Sequence, residues 1–237
     1  MAIYKITYSE RLKRANLHNH GCNFNCTWCS YKLNGNSKPK KFLSIAEIKK
    51  ALSVLDIDRV HFVGGEPTTY PQLSEISDFA KNELGIYTKI GHSNGSNAPP
   101  DSIDAMSVSI KSFSEDIHLK YTGRSNAPVL RNFANAYKRG VKVDASSVFI
   151  PGLVEHHEIE NIARFIAEID PKIQYHITGY VPVPGAPWPS PSRDGIVRAK
   201  EVAEQYLETV TTSWFRSVDD YIRMTEEDPR YQSVRVA

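Results

Sequence analysis

Cys22, Cys26 and Cys29 are the three cysteines of a 237-residue chain, and they fall within eight consecutive residues, Cys22-Asn23-Phe24-Asn25-Cys26-Thr27-Trp28-Cys29. Disulfide frameworks use even numbers of cysteines spread along a chain, whereas a bunched odd set suggests metal binding. The spacing C-x3-C-x2-C suits three irons of a cubane [4Fe-4S] cluster and leaves the fourth iron without a protein ligand. That open iron can be chelated by a small molecule bearing an amine and a carboxylate. The same spacing also allows a structural Cys3His zinc site completed by His18 or His20. Such zinc sites usually draw on two separated ligand pairs, whereas here the ligands crowd into one loop.

The elements that must position this loop read as an alternation of β-type runs and helical periods, the pattern of parallel strands joined by crossover helices. Six strands are expected: residues 17–20, running straight into the cysteine loop, then 60–63, 86–90, 105–110, 141–150 and 173–180. A helix starts at Ser44, with Glu47 placed for a capping box and Ile45, Ile48, Leu52 and Leu55 on one face. Leu73, Ile76, Ala80 and Leu84 share a second helical face, ended by Gly85. Further helices are expected over 115–121, 129–139, 156–169 and 193–207. Between them, Val181 to Pro191 carries five prolines and reads as a rigid loop beside the barrel mouth. Trp214, Phe215 and Tyr221 suggest a last segment that packs back on the body. The expected fold is α/β, a partial (β/α)6 TIM-like barrel over about residues 15–180, with a loop and helical extension over 181–237, in one domain.

The second strand leads into Gly64-Gly65-Glu66-Pro67. Two glycines after a strand permit close approach of backbone to a ligand, although in isolation the tetrapeptide is an ordinary turn. With Trp28 giving the cysteine motif the form C-x3-C-x-aromatic-C, and a GGEP turn one βα unit later, the chain resembles the radical S-adenosylmethionine (SAM) superfamily. The resemblance implies a [4Fe-4S] cluster on Cys22, Cys26 and Cys29, SAM on the open iron, and reductive cleavage of SAM to a 5′-deoxyadenosyl radical. It also places Trp28 against the adenine and the glycine turn at the methionine amino group.

Further matches resemble one branch, the glycyl-radical enzyme activating enzymes: Ser93-Asn94-Gly95, Ser109-Ile110-Lys111, His118 with Thr122-Gly123, Asn126 with Val129-Leu130, and Ile150-Pro151-Gly152. Carried over position by position, Trp28, Ser30, Gly64, Gly65, Glu66, Ser93, Asn94, Lys111 and His176 are candidate SAM contacts. Lys111 would face the methionine carboxylate and His176 the ribose. The plain alternatives are a solvated lysine at a strand end and a satisfied core histidine. The chain departs from the branch where His92 and Ser109 stand in place of acidic residues and Ser146 in place of an arginine. Those departures bear on the substrate more than on SAM chemistry.

A net charge of +2 gives no overall signal for nucleic acid or an acidic membrane. No run of 18 apolar residues occurs and residues 1–14 lack an apolar core, so neither a membrane span nor a signal peptide is expected, and the cytoplasm is the expected compartment. Lys32, Lys38, Lys40 and Lys41 follow the cysteine loop; they could steer an acidic flavodoxin or ferredoxin as electron donor, or form a solvated loop. Three functions remain: an activator that installs a glycyl radical on a partner enzyme, a radical enzyme acting on a small molecule, a nucleoside-like compound or another protein residue, and a non-enzymatic iron-sulfur or zinc protein.

Overall fold

The computed structural model describes residues 1–34, 39–229 and 232–237. Within them the chain forms β1 (Ala2–Ser9), β2 (Arg14–His20), α1 (Ile45–Val54), β3 (Arg59–Val63), α2 (Leu73–Asp78), β4 (Tyr87–Ser93) and β5 (Ala105–Ser109). There follow α3 (Glu115–Thr122), α4 (Ala127–Lys138), β6 (Lys142–Phe149), α5 (His156–Ile169), β7 (Tyr175–Gly179), α6 (Arg193–Ala203), β8 (Val210–Ser213), α7 (Val218–Glu227) and β9 (Val234–Arg235). One sheet holds all nine strands in the order β8-β7-β6-β5-β4-β3-β2-β1-β9. Strands β2 to β8 run parallel, while β1 pairs antiparallel with β2 and β9 antiparallel with β1.

The six expected strands are β2 to β7, so the partial α/β barrel is present, and the sheet is larger than six strands on both edges. β8, within a stretch expected to be helix and tail, adds a seventh parallel strand beside β7. β1 adds an N-terminal strand; its Ile3, Tyr4, Ile6, Thr7 and Tyr8 have the β-branched and aromatic character that favours extended chain. The expected helix 193–207 stops at Ala203. Between β4 and β5 there is no helix, so the crossover there is a loop.

Local chemistry explains where the helices sit. Ser44 and Glu47 form the reciprocal cap at the start of α1, Glu47 N donating to Ser44 Oγ at 3.3 Å and Ser44 N to Glu47 Oε2 at 2.8 Å. The Leu73–Leu84 face is served first by α2 and then by a π-helical turn, Phe79–Glu83. In α5, Ile159, Ile162, Ala163 and Ile166 form the apolar stripe. The buried Glu158 turns instead to the start of α3, where its carboxylate accepts from Phe113 N at 2.8 Å, from Ser114 N at 3.0 Å and from the Ser114 hydroxyl. Those donors satisfy a buried charge that would otherwise cost several kcal/mol.

Strand alternation divides the sheet into two unlike faces. Leu17, Phe62, Ile90, Val108 and Ile177 point to the helices and are fully buried or nearly so; burial of each such side chain contributes roughly 1.5–3 kcal/mol. Residues of opposite parity line the inner, concave face. Asp144 belongs to this inner set, whereas Ser147, three residues on in the same strand, is buried on the helix side and donates to Ile110 O at 2.8 Å. A strand period of two cannot place both at the barrel mouth. No helix among the described residues is long and apolar enough to cross a membrane.

Candidate active site at the carboxyl ends of the strands

The cysteine loop leaves β2 and is pinned by backbone bonds to the end of α3. Asn25 N donates to Thr122 O at 3.0 Å and Thr27 N to Tyr121 O at 3.2 Å. Within the loop, Cys29 N donates to Cys26 O at 3.3 Å, closing a turn that brings the second and third cysteines together. Cys22 Sγ accepts from Phe24 N at 3.4 Å and from Asn94 Nδ2 at 3.6 Å. Burial raises the pKa of the Cys22 thiol, with those two donors opposing it. Burial pushes the Cys26 thiol up to about 11, partly offset by the Lys111 ammonium. The free loop therefore holds protons on these sulfurs, and bound cationic iron would displace them.

The Gly64-Gly65-Glu66 turn follows β3 and packs its backbone directly on the cysteine loop. Glu66 N donates to Gly21 O at 2.9 Å. A Cβ on Gly65, whose φ is +40°, would lie 2.0 Å from Gly21 O, and one on Gly64, at φ +79°, 2.7 Å from Asn19 O. Only glycine permits both the conformation and the approach. Asn19 Nδ2 reinforces the junction, donating to Glu66 O at 2.8 Å and Gly21 O at 3.2 Å.

Glu66 is wholly buried, and its carboxylate gathers four donors. Oε1 accepts from Thr68 N at 3.0 Å, Thr68 Oγ1 at 2.6 Å and Ser93 Oγ at 2.8 Å, and Oε2 accepts from Asn94 N at 2.5 Å. One carboxylate thus fixes the ends of β3 and β4. Asn94 passes the connection on to the first cysteine directly and through Asn23 Oδ1 at 2.9 Å. Glu66, Ser93 and Asn94 are therefore brought together with Cys22, as framework behind the loop.

Trp28 is almost buried, with a ring on each side of its environment. It stacks on Tyr121 with centroids 5.1 Å apart and planes at 29°, and meets Tyr180 edge-on at 6.4 Å. The Lys111 ammonium lies over the Trp28 ring at 5.1 Å and donates to Ser109 Oγ at 2.7 Å. Trp28 Nε1 and the Tyr121 hydroxyl are buried without a hydrogen-bond partner. Buried donors are normally paired, so these two beside the cysteines are exceptions. Tyr121 escaped sequence reasoning because its neighbours in α3 supply the recognisable pattern, and only tertiary packing brings its ring to Trp28.

Ser30 opens a 3-10 turn, Ser30–Asn34, directly after Cys29. His176 sits on the inner face of β7, where its ring engages Thr211 Oγ1 at 2.8 Å and Ser213 Oγ at 3.1 Å, both on β8. Among the loop lysines, Lys32 Nζ donates to Thr27 O at 2.8 Å and Lys41 pairs with Glu47 at 2.5 Å. Lys38 lies outside the described residues.

These residues fit an iron-sulfur cluster with an organic ligand. Three sulfurs come from one loop, donors address the Cys22 sulfur, a cation stands beside Cys26, and unpaired polar atoms flank the loop. The Cys3His zinc alternative needs His18 or His20 at the cysteines. His18 instead bonds Thr7 Oγ1 at 3.1 Å, and His20 packs against the rings of Tyr4 and Phe42. Among the described residues, no group of three or more His, Cys, Asp or Glu side chains, the three cysteines included, is already arranged around a metal position, so the fit rests on the donor chemistry and spacing of the loop.

Comparison with known proteins bears on the same loop and turn. The family described as the Radical SAM superfamily matches residues 16–166. A protein of Methanocaldococcus jannaschii named "Putative glycyl-radical enzyme activating enzyme" is 32% identical over 224 residues, covering 90% of this chain and 84% of its own length. A GTP 3',8-cyclase of Vibrio parahaemolyticus is 27% identical over 161 residues, covering 62% of this chain and 48% of its own. Among solved structures, a radical SAM methyltransferase from Sphaerobacter thermophilus superposes with a TM-score of 0.63 at 16% identity, over 90% of this chain and 70% of that one.

Proposed function

This chain belongs to the radical SAM superfamily, and from that membership we propose that Cys22, Cys26 and Cys29 hold a [4Fe-4S] cluster and that the enzyme removes a hydrogen atom from a glycine Cα of a partner enzyme. Bound together, the cluster and SAM supply one-electron cleavage to methionine and a 5′-deoxyadenosyl radical, the hydrogen-atom acceptor. The protein supplies position. The backbone of Gly64 and Gly65 approaches the cysteine loop closely enough to contact a ligand seated there, and Glu66 locks that turn to Ser93 and Asn94. Trp28 and Tyr121 offer unpaired donors, and Lys111 offers the charge for a carboxylate. Ser30 and His176 are further candidate contacts.

The observation that carries the cofactor reading is the continuous bonded path from Glu66 through Asn94 to the Cys22 sulfur. What supports a glycine acceptor is the name and 90% coverage of the M. jannaschii relative. Anaerobic incubation with SAM, a reductant and a glycyl-radical enzyme from the same genome should give the glycyl-radical EPR doublet, with one 5′-deoxyadenosine per radical. Absence of the doublet alongside turnover of a small compound would reject this acceptor. A flavodoxin or ferredoxin is the proposed electron donor.

Lys111 tests the SAM contact separately. Lys111→Ala should leave cluster absorbance intact and weaken SAM binding on the order of 10- to 100-fold, as expected for loss of one charge-assisted contact. Unchanged affinity in anaerobic equilibrium dialysis would remove Lys111 from the site.

A second reading, a small-molecule acceptor, is favoured by one observation: the inner face of the sheet is polar and charged, as the Lys89–Asp144 pair at 3.0 Å shows.

A further inference from the structure

An α-helix leaves its last four carbonyls without partners inside the helix. At the end of α3 two of them are taken up by the cysteine loop: Thr122 O accepts from Asn25 N and Tyr121 O from Thr27 N. The loop that carries the three thiols therefore takes its shape from the direction in which those two carbonyls point. How the chain leaves the helix sets that direction, and a buried side chain holds the exit.

His118 lies one helical turn before Thr122 and is fully buried. Its Nδ1 stands 2.6 Å from Arg124 O, and because a carbonyl only accepts, Nδ1 carries the proton and donates. Thr122 joins from the helix side: Oγ1 donates to His118 O at 2.8 Å and accepts from Arg124 N at 3.1 Å. Both backbone groups of Arg124 are thus tied to the last turn of α3, with Gly123 before it at φ +73°. The turn so fixed sends the Arg124 side chain to the cysteine loop, where Nε donates to Asn23 O at 3.3 Å. Phe24, next in the loop, meets the imidazole edge-on at 5.6 Å. The other ring nitrogen, Nε2, is buried without a hydrogen-bond partner, so the polar contacts of the ring all fall on Nδ1, at Arg124 O and Thr122 Oγ1.

The far side of the turn has anchors of its own. Asn126 N donates to Glu115 Oε2 at 3.0 Å and Asn126 Nδ2 to Phe113 O. Loss of the His118 bond would therefore free the helix exit on the side that faces the cysteines while the connection to α4 stays held.

We propose that His118 is a positioning residue for the cysteine loop, acting through the Arg124 carbonyl to hold the end of α3 in the shape that presents Tyr121 O and Thr122 O to the loop amides. The role concerns the protein before any cofactor binds, so it goes beyond the glycine-acceptor reading and stands apart from it.

The test reads the full-length apo-protein first, by amide hydrogen exchange followed by NMR in the parent, His118→Leu and His118→Asn. Leucine keeps apolar packing against Phe24 but donates nothing, whereas asparagine loses the ring and places an amide N–H about where Nδ1–H stands. In His118→Leu the Asn25 and Thr27 amides should exchange on the order of tenfold faster than in the parent, as expected for loss of one buried hydrogen bond. In His118→Asn they should stay within about threefold of the parent. A side chain that served packing alone would give the opposite ranking. Unchanged exchange in His118→Leu would overturn the proposal, as would a loss in His118→Asn equal to that in His118→Leu, or a loss spread evenly over the sheet amides. Should His118→Leu fail to fold, His118→Gln takes its place: its amide lies one carbon further out, so protection equal to that of His118→Asn rejects the proposal and loss upholds it. One consequence rests on Cys22, Cys26 and Cys29 being ligands: reconstituted His118→Leu should lose iron to a chelator several-fold faster than the parent, and His118→Asn at the parent's rate. Equal iron loss in the parent and His118→Leu would also overturn the role, whereas a parent that takes up no cluster would reject the ligand assignment and leave the exchange result to decide on His118.

Discussion

Replacing Cys26 by alanine should abolish both the iron-sulfur absorbance and all formation of 5′-deoxyadenosine, while leaving the apo-protein folded. Cys26 is half-buried in a loop whose shape is set by backbone bonds to Tyr121 and Thr122 and by the Cys29 N to Cys26 O turn, none of which involves the sulfur. Its side chain therefore contributes little to the fold. Its role as a ligand is different, because a cubane cluster attached through only two thiolates lacks one of its protein anchors and exposes a second iron. The expected result is total, and it is measured by anaerobic reconstitution, absorbance near the charge-transfer band and chromatography of the nucleoside product. A Cys26→Ala protein that still cleaves SAM would show that the cluster is held elsewhere.

Gly65→Ala should be the most damaging single methyl in the site. The added Cβ would lie 2.0 Å from the Gly21 carbonyl oxygen, an atom of backbone that is itself bonded to Glu66 N, and Gly65 has φ +40°. Neither neighbour can rotate away, so the turn must open and the Glu66 N to Gly21 O bond must break. Backbone strain of about 1–3 kcal/mol and the lost contact together predict a destabilisation of roughly 3 kcal/mol or more. For a chain of this length that corresponds to a fall in melting temperature of about 6–12 °C. Gly85→Ala is the control: its φ is +67° but nothing lies within 4 Å of the added carbon. It should show only the conformational cost, about 1 kcal/mol. Equal losses in the two variants would mean that strain alone, rather than the approach of the glycine turn to the cysteine loop, accounts for Gly65. SAM affinity should fall in Gly65→Ala and stay unchanged in Gly85→Ala.

The fold was legible wherever the pattern was local. The periodicity placed α5 at His156–Ile169, with the same ends in the structure, and Ser44 with Glu47 announced the start of α1 through a bond that spans three residues. The strands β2 to β7 followed from short β-type runs between helices. The β1–β9 pair did not, because Thr7 opposite Arg235 and Tyr8 opposite Val234 is a register across nearly the whole chain, which no local run announces. β8 was missed for a related reason: Val210–Ser213 is four residues long and becomes a strand by pairing with β7. That pairing then gives the ring of His176 two hydroxyl partners that the sequence could not assign.

The loop lysines show the same dependence. Four lysines after a cysteine motif read as a possible steering patch, but Lys32 is turned back to Thr27 O and Lys41 is held by Glu47. His92, one of the positions where the family resemblance leads one to expect an acid, feels a carboxylate supplied by a different strand, Asp144 of β6. Substitution at one position and the charge of the finished site are separate questions once side chains from three strands share a face.

The sequence by itself determined the donor chemistry: which thiols are available, how far apart they lie in one loop, and where glycine allows the chain to turn. Those are properties of residue type and short-range spacing; the cysteine spacing leaves iron-sulfur and zinc both open, and Trp28 with the Gly64 to Pro67 turn carries the resemblance that separates them. Only the tertiary structure decided that the Glu66 carboxylate joins the ends of β3 and β4, that Tyr121 lies on Trp28, and that Lys89 meets Asp144. Each of these contacts depends on strand register and on the face to which each side chain turns. A shift of one residue in a strand would exchange inner and outer faces, and long-range packing fixes that choice.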